Sequence, residues 1–364
     1  MTLHPVLHRG RLLPRLALGG LLLLAVACRA TLPRPSGVPV RYDSAEVPQA
    51  LSEGRAALEA GETWAAVAIL SAAQAAPDLD GATRGEVQAL LVQAVGLRIE
   101  ELRSDPEGAE QLEVLAELEV PRDLAVRASL AAARAWLEAG ERFQCHETLV
   151  AMDERYPLHA RRMEAGELQF QAGISLAEDP GKYALVFAYS TDGITVLESF
   201  IERHPGHPSG PRAFEALVEA YEEDRLFDLA IRRAEGLLLE YPGTPEGTWA
   251  QAQIPHLRLA SLGSPEYDRG LMLQARAELA EWLETYPGHP LEEQVRIDLA
   301  DALQRLADSD LSIARFYRKV QSPAGFQFHA RRALETAREA GNEEQITEAE
   351  ALLAQASEAL EAAP

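Results

Sequence analysis

The 364-residue chain is 47% hydrophobic, 25% charged and 6% aromatic, with a formal net charge of −23. That is globular composition, with enough chain to bury a large core. Alanine, leucine and glutamate dominate and valine-isoleucine-threonine runs are scarce, which excludes a sheet-based fold, and so acidic a surface repels phosphate backbones, which excludes nucleic acid as a partner.

Residues 1–27 read as an export signal. Arg9, Arg11 and Arg15 form a basic region, and Leu16 to Ala27 form a 12-residue apolar run, too short for the roughly 20 residues that span a bilayer. The run ends Leu24-Ala25-Val26-Ala27-Cys28, which resembles a bacterial lipobox. That resemblance implies a diacylated Cys28 at the mature N-terminus, a membrane anchor that needs no spanning helix. Arg29 follows in place of the aspartate of an inner-membrane retention signal, so the resemblance implies the outer membrane. Without residues 1–27 the chain has 31 basic and 57 acidic residues, a net −26. Residues 28–42 hold Pro33, Pro35 and Pro39 and little apolar periodicity. They read as an extended tether, which at roughly 3.1 Å per residue holds a folded body about 40 Å off a membrane, facing the periplasm.

From Asp43 onward the pattern is helical. Residues 43–77 form a first hairpin turning at Gly61, residues 81–103 a longer helix, and residues 105–121 a short glutamate-rich piece. Residues 121–157 form a hairpin with its turn at Ala139-Gly140. Next come helices over 160–178 and 182–204, a hairpin turning at Glu222-Glu223-Asp224 and ending at Tyr241, and a helix from Pro245 that should kink or break at Pro255. A loop over 261–267 precedes a helix over 271–286. Beyond Pro290 we expect four helices, at 292–307, 310–320, 325–339 and 342–362, the last opening on a capping-box-like Asn342-Glu343-Glu344-Gln345.

One phrase punctuates this series: His204-Pro205-Gly206-His207-Pro208, Tyr241-Pro242-Gly243-Thr244-Pro245 and Tyr286-Pro287-Gly288-His289-Pro290. Proline cannot continue a helix, glycine accepts the left-handed geometry after a helix end, and the second proline suits the next first turn. Tyr156-Pro157 and Ala76-Pro77 join the set. Twelve residues before each proline stands a small residue: Ala65, Cys145, Gly193, Ala230, Ala275. Eight before stand Ile69, Leu149, Leu197, Ala234 and Leu279, and five before stand Ala72, Met152, Phe200, Leu237 and Trp282. These offsets share one helix face, and the pattern is that of the second helix of a tetratricopeptide repeat. With Pro121 as a degenerate member, the prolines lie 44, 36, 48, 37 and 45 residues apart, longer than the roughly 34 of the standard repeat. The expected fold is therefore all-α, a tetratricopeptide-like helical-hairpin solenoid behind a signal peptide and tether. It divides into N-terminal repeats over 43–157, central repeats over 158–290, and C-terminal helices with a cap over 291–364.

No catalytic motif is present: no phosphate loop, nucleophile elbow, H-E-x-x-H or zinc-spaced cysteine pair. An enzyme is not expected, nor a cofactor. His204 and His207 have metal-like spacing, but we place them in a solvent-exposed corner with no third ligand and assign no metal. Cys145 reads as a small core residue. A repeat array leaves a groove lined by first helices, and Phe170, Tyr183, Phe187, Tyr189, Phe214 and Tyr221 are the candidates to line a peptide groove, with hairpin core as the alternative for each.

Three features together resemble the BamD family of outer-membrane lipoproteins of the β-barrel assembly machinery: the lipobox cysteine, the stretch Phe200 to Pro208, and the late run from Leu299 to Leu334. In that run Ile313-Ala314-Arg315-Phe316-Tyr317, followed by Ala330-Arg331-Arg332-Ala333, carries the similarity. The resemblance implies a non-enzymatic scaffold that holds the periplasmic domains of the barrel insertase through its C-terminal repeats and unfolded barrel precursors through its N-terminal ones. Arg331 or Arg332 would be the insertase-facing charge, with Tyr317 packing beneath it. A scaffold for other envelope machinery is the alternative with the same architecture.

Overall fold

The computed structural model describes residues 35–178, 191–263 and 268–361, and among them every regular element is helical. No described helix is long and apolar enough to cross a membrane. The apolar run at 16–27, Cys28, and the candidates Tyr183, Phe187 and Tyr189 lie outside the described residues. The chain divides into two compact units between Ala132 and Ala133.

In the first unit, α1 (Val47–Glu59) and α2 (Thr63–Gln74) pair across Gly61, and α2 packs on α3 (Gly81–Leu102). Asp80 caps α3 by accepting the amides of Ala82 and Thr83 at 2.9 and 3.0 Å, which satisfies donors the helix itself cannot. A 3₁₀ turn at Pro106–Gly108 and α4 (Ala109–Glu117) close the unit. The boundary falls inside α5 (Arg122–Glu138).

The second unit continues with α6 (Arg142–Arg155), α7 (Arg162–Glu178), α8 (Thr191–Arg203), α9 (Gly210–Glu223), α10 (Phe227–Glu240), α11 (Pro245–Ser261), α12 (Arg269–Thr285), α13 (Glu292–Lys319), α14 (Pro323–Ala340) and α15 (Glu343–Glu361). Consecutive helices pack together, and α7 also touches α9, α9 touches α11, and α11 touches α13. First helices thus form one layer of a helical-hairpin array. The repeat arithmetic holds in the core: of the fifteen residues twelve, eight and five before the breaker prolines, all but Ala65 are buried.

The phrase works through its third and fourth residues. Gly206, Gly243 and Gly288 have φ of 74, 76 and 78°, the left-handed turn that ends each helix. The next residue fixes the turn into the following helix. The Nδ1 atoms of His159, His207 and His289 accept the amides of Arg161, Ser209 and Leu291 at 3.1, 3.1 and 3.2 Å, and Thr244 Oγ1 accepts the Gly247 amide at 3.0 Å.

Two expected breaks do not occur. α11 runs unbroken through a buried Pro255, because packing against α9, α10, α12 and α13 offsets the roughly 3 kcal/mol that proline costs inside a helix. Helices expected at 292–307 and 310–320 are one, α13. Its interior has neither glycine nor proline, and the polar pair Ser309-Asp310 at the expected break is buried in the helix face. At α15 only half of the capping box forms. Asn342 Oδ1 accepts the Gln345 amide at 3.1 Å, while the Gln345 side chain turns instead to Gln304 O and Asp308.

Candidate functional site

The hairpin of α13 and α14 carries the late run. Asp310, with no exposed surface, anchors it: Arg332 Nε lies 2.9 Å from both carboxylate oxygens, Arg269 Nη2 2.9 Å from Oδ2, and His329 Nδ1 2.9 Å from Oδ1. A buried carboxylate needs such partners, since leaving it unpaired costs several kcal/mol. Here α12, α13 and α14 each contribute a side chain to the same cluster.

Above the cluster four rings touch in series across the hairpin. Phe316 lies 5.6 Å from Tyr317, Tyr317 stacks on His329 at 5.5 Å and 14°, and His329 meets Phe328 at 5.1 Å. Tyr317 also covers Gly325, where a Cβ would approach its ring to 2.6 Å. The two inner rings are partly buried, but Phe316 and Phe328 are 57% and 58% exposed and Val320 is 50% exposed. The Arg332 guanidinium lies over the Phe328 ring at 5.2 Å. From Leu311 to Leu334 there is no acidic residue, while Arg315, Arg318, Lys319, Arg331 and Arg332 are basic, a local inversion of the chain's charge. Arg315 is taken by Glu348 and Arg318 by Gln355. Arg331 and Lys319 are exposed and make no side-chain ion pair or hydrogen bond among the described residues. Exposed aromatics beside unpaired cations are the chemistry of a protein-binding face.

The late run named by sequence is thus assembled in one place, with its two arginines in different roles: Arg332 is held by Asp310, whereas Arg331 is free. Neither Phe316, part of the motif of the late run, nor Phe328 has a binding role in the sequence reading. Their signal was legible as large apolar residues one position off the buried stripe of their helices. Asp310, Arg269 and His329 gave no sequence signal as a group, because they are 19 or more positions apart in chain order and meet only through packing.

The other candidates fall elsewhere. Phe214 and Tyr221 are buried in the core of α8–α11, so they take the hairpin-core alternative. The Tyr221 hydroxyl donates to Glu198 at 2.7 Å, and burial first, then Glu198, pushes it up to about 12. Phe170 is half-buried against the same core, 5.7 Å from Phe200. Cys145 is free and fully buried, and burial raises its thiol to about 12, as its core assignment requires.

His204 and His207 are a correction, for they are buried at 6% and 4% exposure and not in an exposed corner. The bond from the Ser209 amide draws His207 inward, leaving its hydrogen on Nε2 to donate to Met163 O at 3.2 Å. His204 Nε2 donates to Gln169 Oε1 at 3.1 Å, and Gln169 Nε2 donates onward to His146 Nδ1 at 3.2 Å and Ser199 Oγ at 3.1 Å. Burial holds His204 down at about 4. This buried spine ties α6, α7 and α8 together, and no group of three metal-binding side chains exists among the described residues.

The fold places the molecule in the class of helical-hairpin repeat proteins. A family model described as YfiO, outer membrane lipoprotein, matches residues 128–360. The match takes in most of the chain, including every helix from α6 to α14, and the chain belongs to that family. The crystal structure of the apo form of RapI aligns with 87% of this chain and all of its own, at 10% identity and a TM-score of 0.25. No curated protein matches the chain.

Proposed function

We propose that the protein is a lipid-anchored scaffold of β-barrel assembly in the outer membrane. Cys28 carries the lipid, the tether over 28–42 holds the repeats on the periplasmic side, and the body divides functionally at 157 and 290. The face of α13 and α14 docks the periplasmic domains of the barrel insertase, through Phe316, Phe328 and the free Arg331, with Tyr317 packed beneath. The N-terminal repeats contact unfolded barrel precursors, and in the central repeats Phe170 is the described residue best placed to serve a groove. The observation that carries this reading is a ring series exposed at its two ends, Phe316 and Phe328, beside an unpaired arginine, on an acid-free hairpin inside the region that the family model matches.

The test is affinity capture of the tagged, full-length lipoprotein from detergent-solubilised envelopes, with Arg331→Glu and Phe316→Ala/Phe328→Ala in parallel. A large barrel protein with periplasmic repeat domains should co-purify with the wild type and be lost from both variants. Its retention by both variants would leave the function standing and remove the face. Its absence from the wild type would favour a scaffold of other envelope machinery.

A further inference from the structure

Away from the ring series, His146, Gln169, His204 and His207 are sealed between α6, α7 and α8, Gln169 with no exposed surface. The Gln169 amide joins two of the imidazoles: its Oε1 faces His204 Nε2 at 3.1 Å and its Nε2 faces His146 Nδ1 at 3.2 Å. An amide has one oxygen and one NH₂ group. One of the two imidazoles must therefore accept a hydrogen bond and stay neutral, since a histidine cation only donates. Turning the amide over changes which ring accepts and nothing else. His207 is held neutral as well, because its Nδ1 accepts the Ser209 amide while its Nε2 donates to Met163 O. The spine thus has a place for at most one extra proton.

The surroundings offer little relief to that proton. Asp153, which faces the spine from α6, is taken by His159 Nε2 at 2.9 Å, and Glu154 of α6 is drawn to Arg203 of α8 at 3.6 Å. On α7, Arg162 donates to Arg203 O and Glu167 accepts from Ser209 Oγ. Among the adjoining helices, Arg134 of α5 goes to Glu164, Arg212 of α9 goes to Glu178 and Glu215, and the Tyr241 hydroxyl after α10 donates to His207 O. Burial first, opposed by Asp153 and joined by Arg162, His207 and Arg203, holds His204 down at about 4. Burial, then Arg203, lowers His146. The rings also lie directly on the α7 backbone, where a Cβ on Gly166 would stand 2.9 Å from His207 Cδ2 and 3.1 Å from His204 Cγ. No water layer separates them from it.

We propose that this spine is an acid-sensitive latch in the repeat array: it holds α7 to α6 and α8 while its imidazoles are neutral, and protonation opens that interface while α12–α15 stay folded. A buried cation that lacks an acceptor has to reach water, and only parting the helices brings water to it. The folded state disfavours the cation, so the latch is closed above pH 6.5 and loosens as pH falls toward 4. The helices α12–α15 hold because their cores are separate from the spine. The Phe200 ring touches His204, His207 and Phe170, so the same opening uncovers the groove candidate. The latch does not rest on the docking reading, whose face lies on α13 and α14.

The experiment is hydrogen exchange read by mass spectrometry on the full chain at pH 7 and pH 4, corrected for the intrinsic pH dependence of amide exchange. Protection of α6, α7 and α8 should fall by about tenfold or more between the two, while that of α12–α15 stays level. Gln169→Glu should abolish the fall, because a carboxylate accepts from both imidazoles and neutralises the proton they gain. His146→Gln, which removes one titrating ring and keeps a hydrogen-bonding amide, should reduce it. Circular dichroism at pH 7 shows which variants keep the wild-type fold. No fall in α6–α8, an equal fall in α12–α15, or a full fall retained by the folded variants would overturn the proposal.

Discussion

Arg332 lies with its Nε 2.9 Å from both oxygens of Asp310, a carboxylate with no exposed surface, 22 positions earlier in the chain. Its neighbour Arg331 is exposed and unpaired among the described residues. The two arginines therefore separate stability from binding. Arg332→Glu sets a like charge against the buried carboxylate and should cost about 2–4 kcal/mol, somewhat less than a fully isolated buried pair because Arg269 and His329 remain. Arg331→Glu should change stability by less than about 0.5 kcal/mol. Urea denaturation of the two single variants checks this, and equal losses would contradict the Asp310 cluster.

Gly193 is the repeat's small residue where space is tightest. A Cβ there would stand 2.7 Å from the Ala177 backbone nitrogen and 3.0 Å from its Cα, and a helix backbone cannot yield as a side chain can. Gly193→Ala gains helix propensity worth roughly 1 kcal/mol but forces α7 and α8 apart. We expect net destabilisation of about 1–3 kcal/mol, measured by thermal melting. An unchanged or raised melting temperature would show that the two helices are free to separate.

Leu158 occupies the glycine position of its phrase at φ 59° while 81% exposed. It accepts the left-handed strain with no packing in return. Leu158→Gly should stabilise the protein by about 1 kcal/mol, the order of the left-handed cost for a residue with a Cβ. That corresponds to a rise of about 2–4 °C in melting temperature. A fall would mean that the side chain makes contacts that outweigh the strain.

How much of this was legible follows from the range of each interaction. The hairpins could be read because breaker prolines and small residues act within a few positions of themselves, as at Cys145, Ala230 and Ala275. The continuity of α13 could not, because whether Asp310 starts a helix or sits inside one depends on Arg269 and Arg332, which arrive from other helices. Pro255 was misread for the same reason: its local cost is real, but tertiary packing outweighs it. His207 reads as solvent-exposed because its phrase is turn chemistry, whereas the Ser209 amide and packing on Phe200 turn the ring inward. The two arginines of the late run share one sequence signal, and only three-dimensional packing distinguishes the held Arg332 from the free Arg331.

His204 lies in a folded environment that lowers it from 6.5 to about 4, through burial first. The folded state disfavours its cation, so its contribution is fully present above pH 6.5 and is lost as pH falls toward 4. His146, lowered in the same direction by burial and by Arg203, adds to the trend. His204→Gln should remove part of this acid sensitivity. The wild-type advantage over the variant should shrink on the order of 2–3 kcal/mol between pH 7 and pH 4, measured by denaturant titration at each pH. A constant difference would argue that the ring is solvated.

His256 should show the opposite slope. It bridges Glu222 on α9 and Asp298 on α13 at 3.1 Å each, and these hydrogen bonds, Asp298 first, raise it from 6.5 to about 10 against the opposing effect of burial. The folded state favours the cation. Its stabilisation is therefore fully present below pH 6.5 and is lost as pH climbs through 10. Three first helices of the repeat layer are thus clasped by one charge at neutral pH. His256→Gln should lower the melting temperature most near pH 6 and least near pH 10, and the loss at pH 6 should outlast moderate salt because the ion pairs are partly buried. A deficit that grows with pH would reverse the sign and remove the clasp.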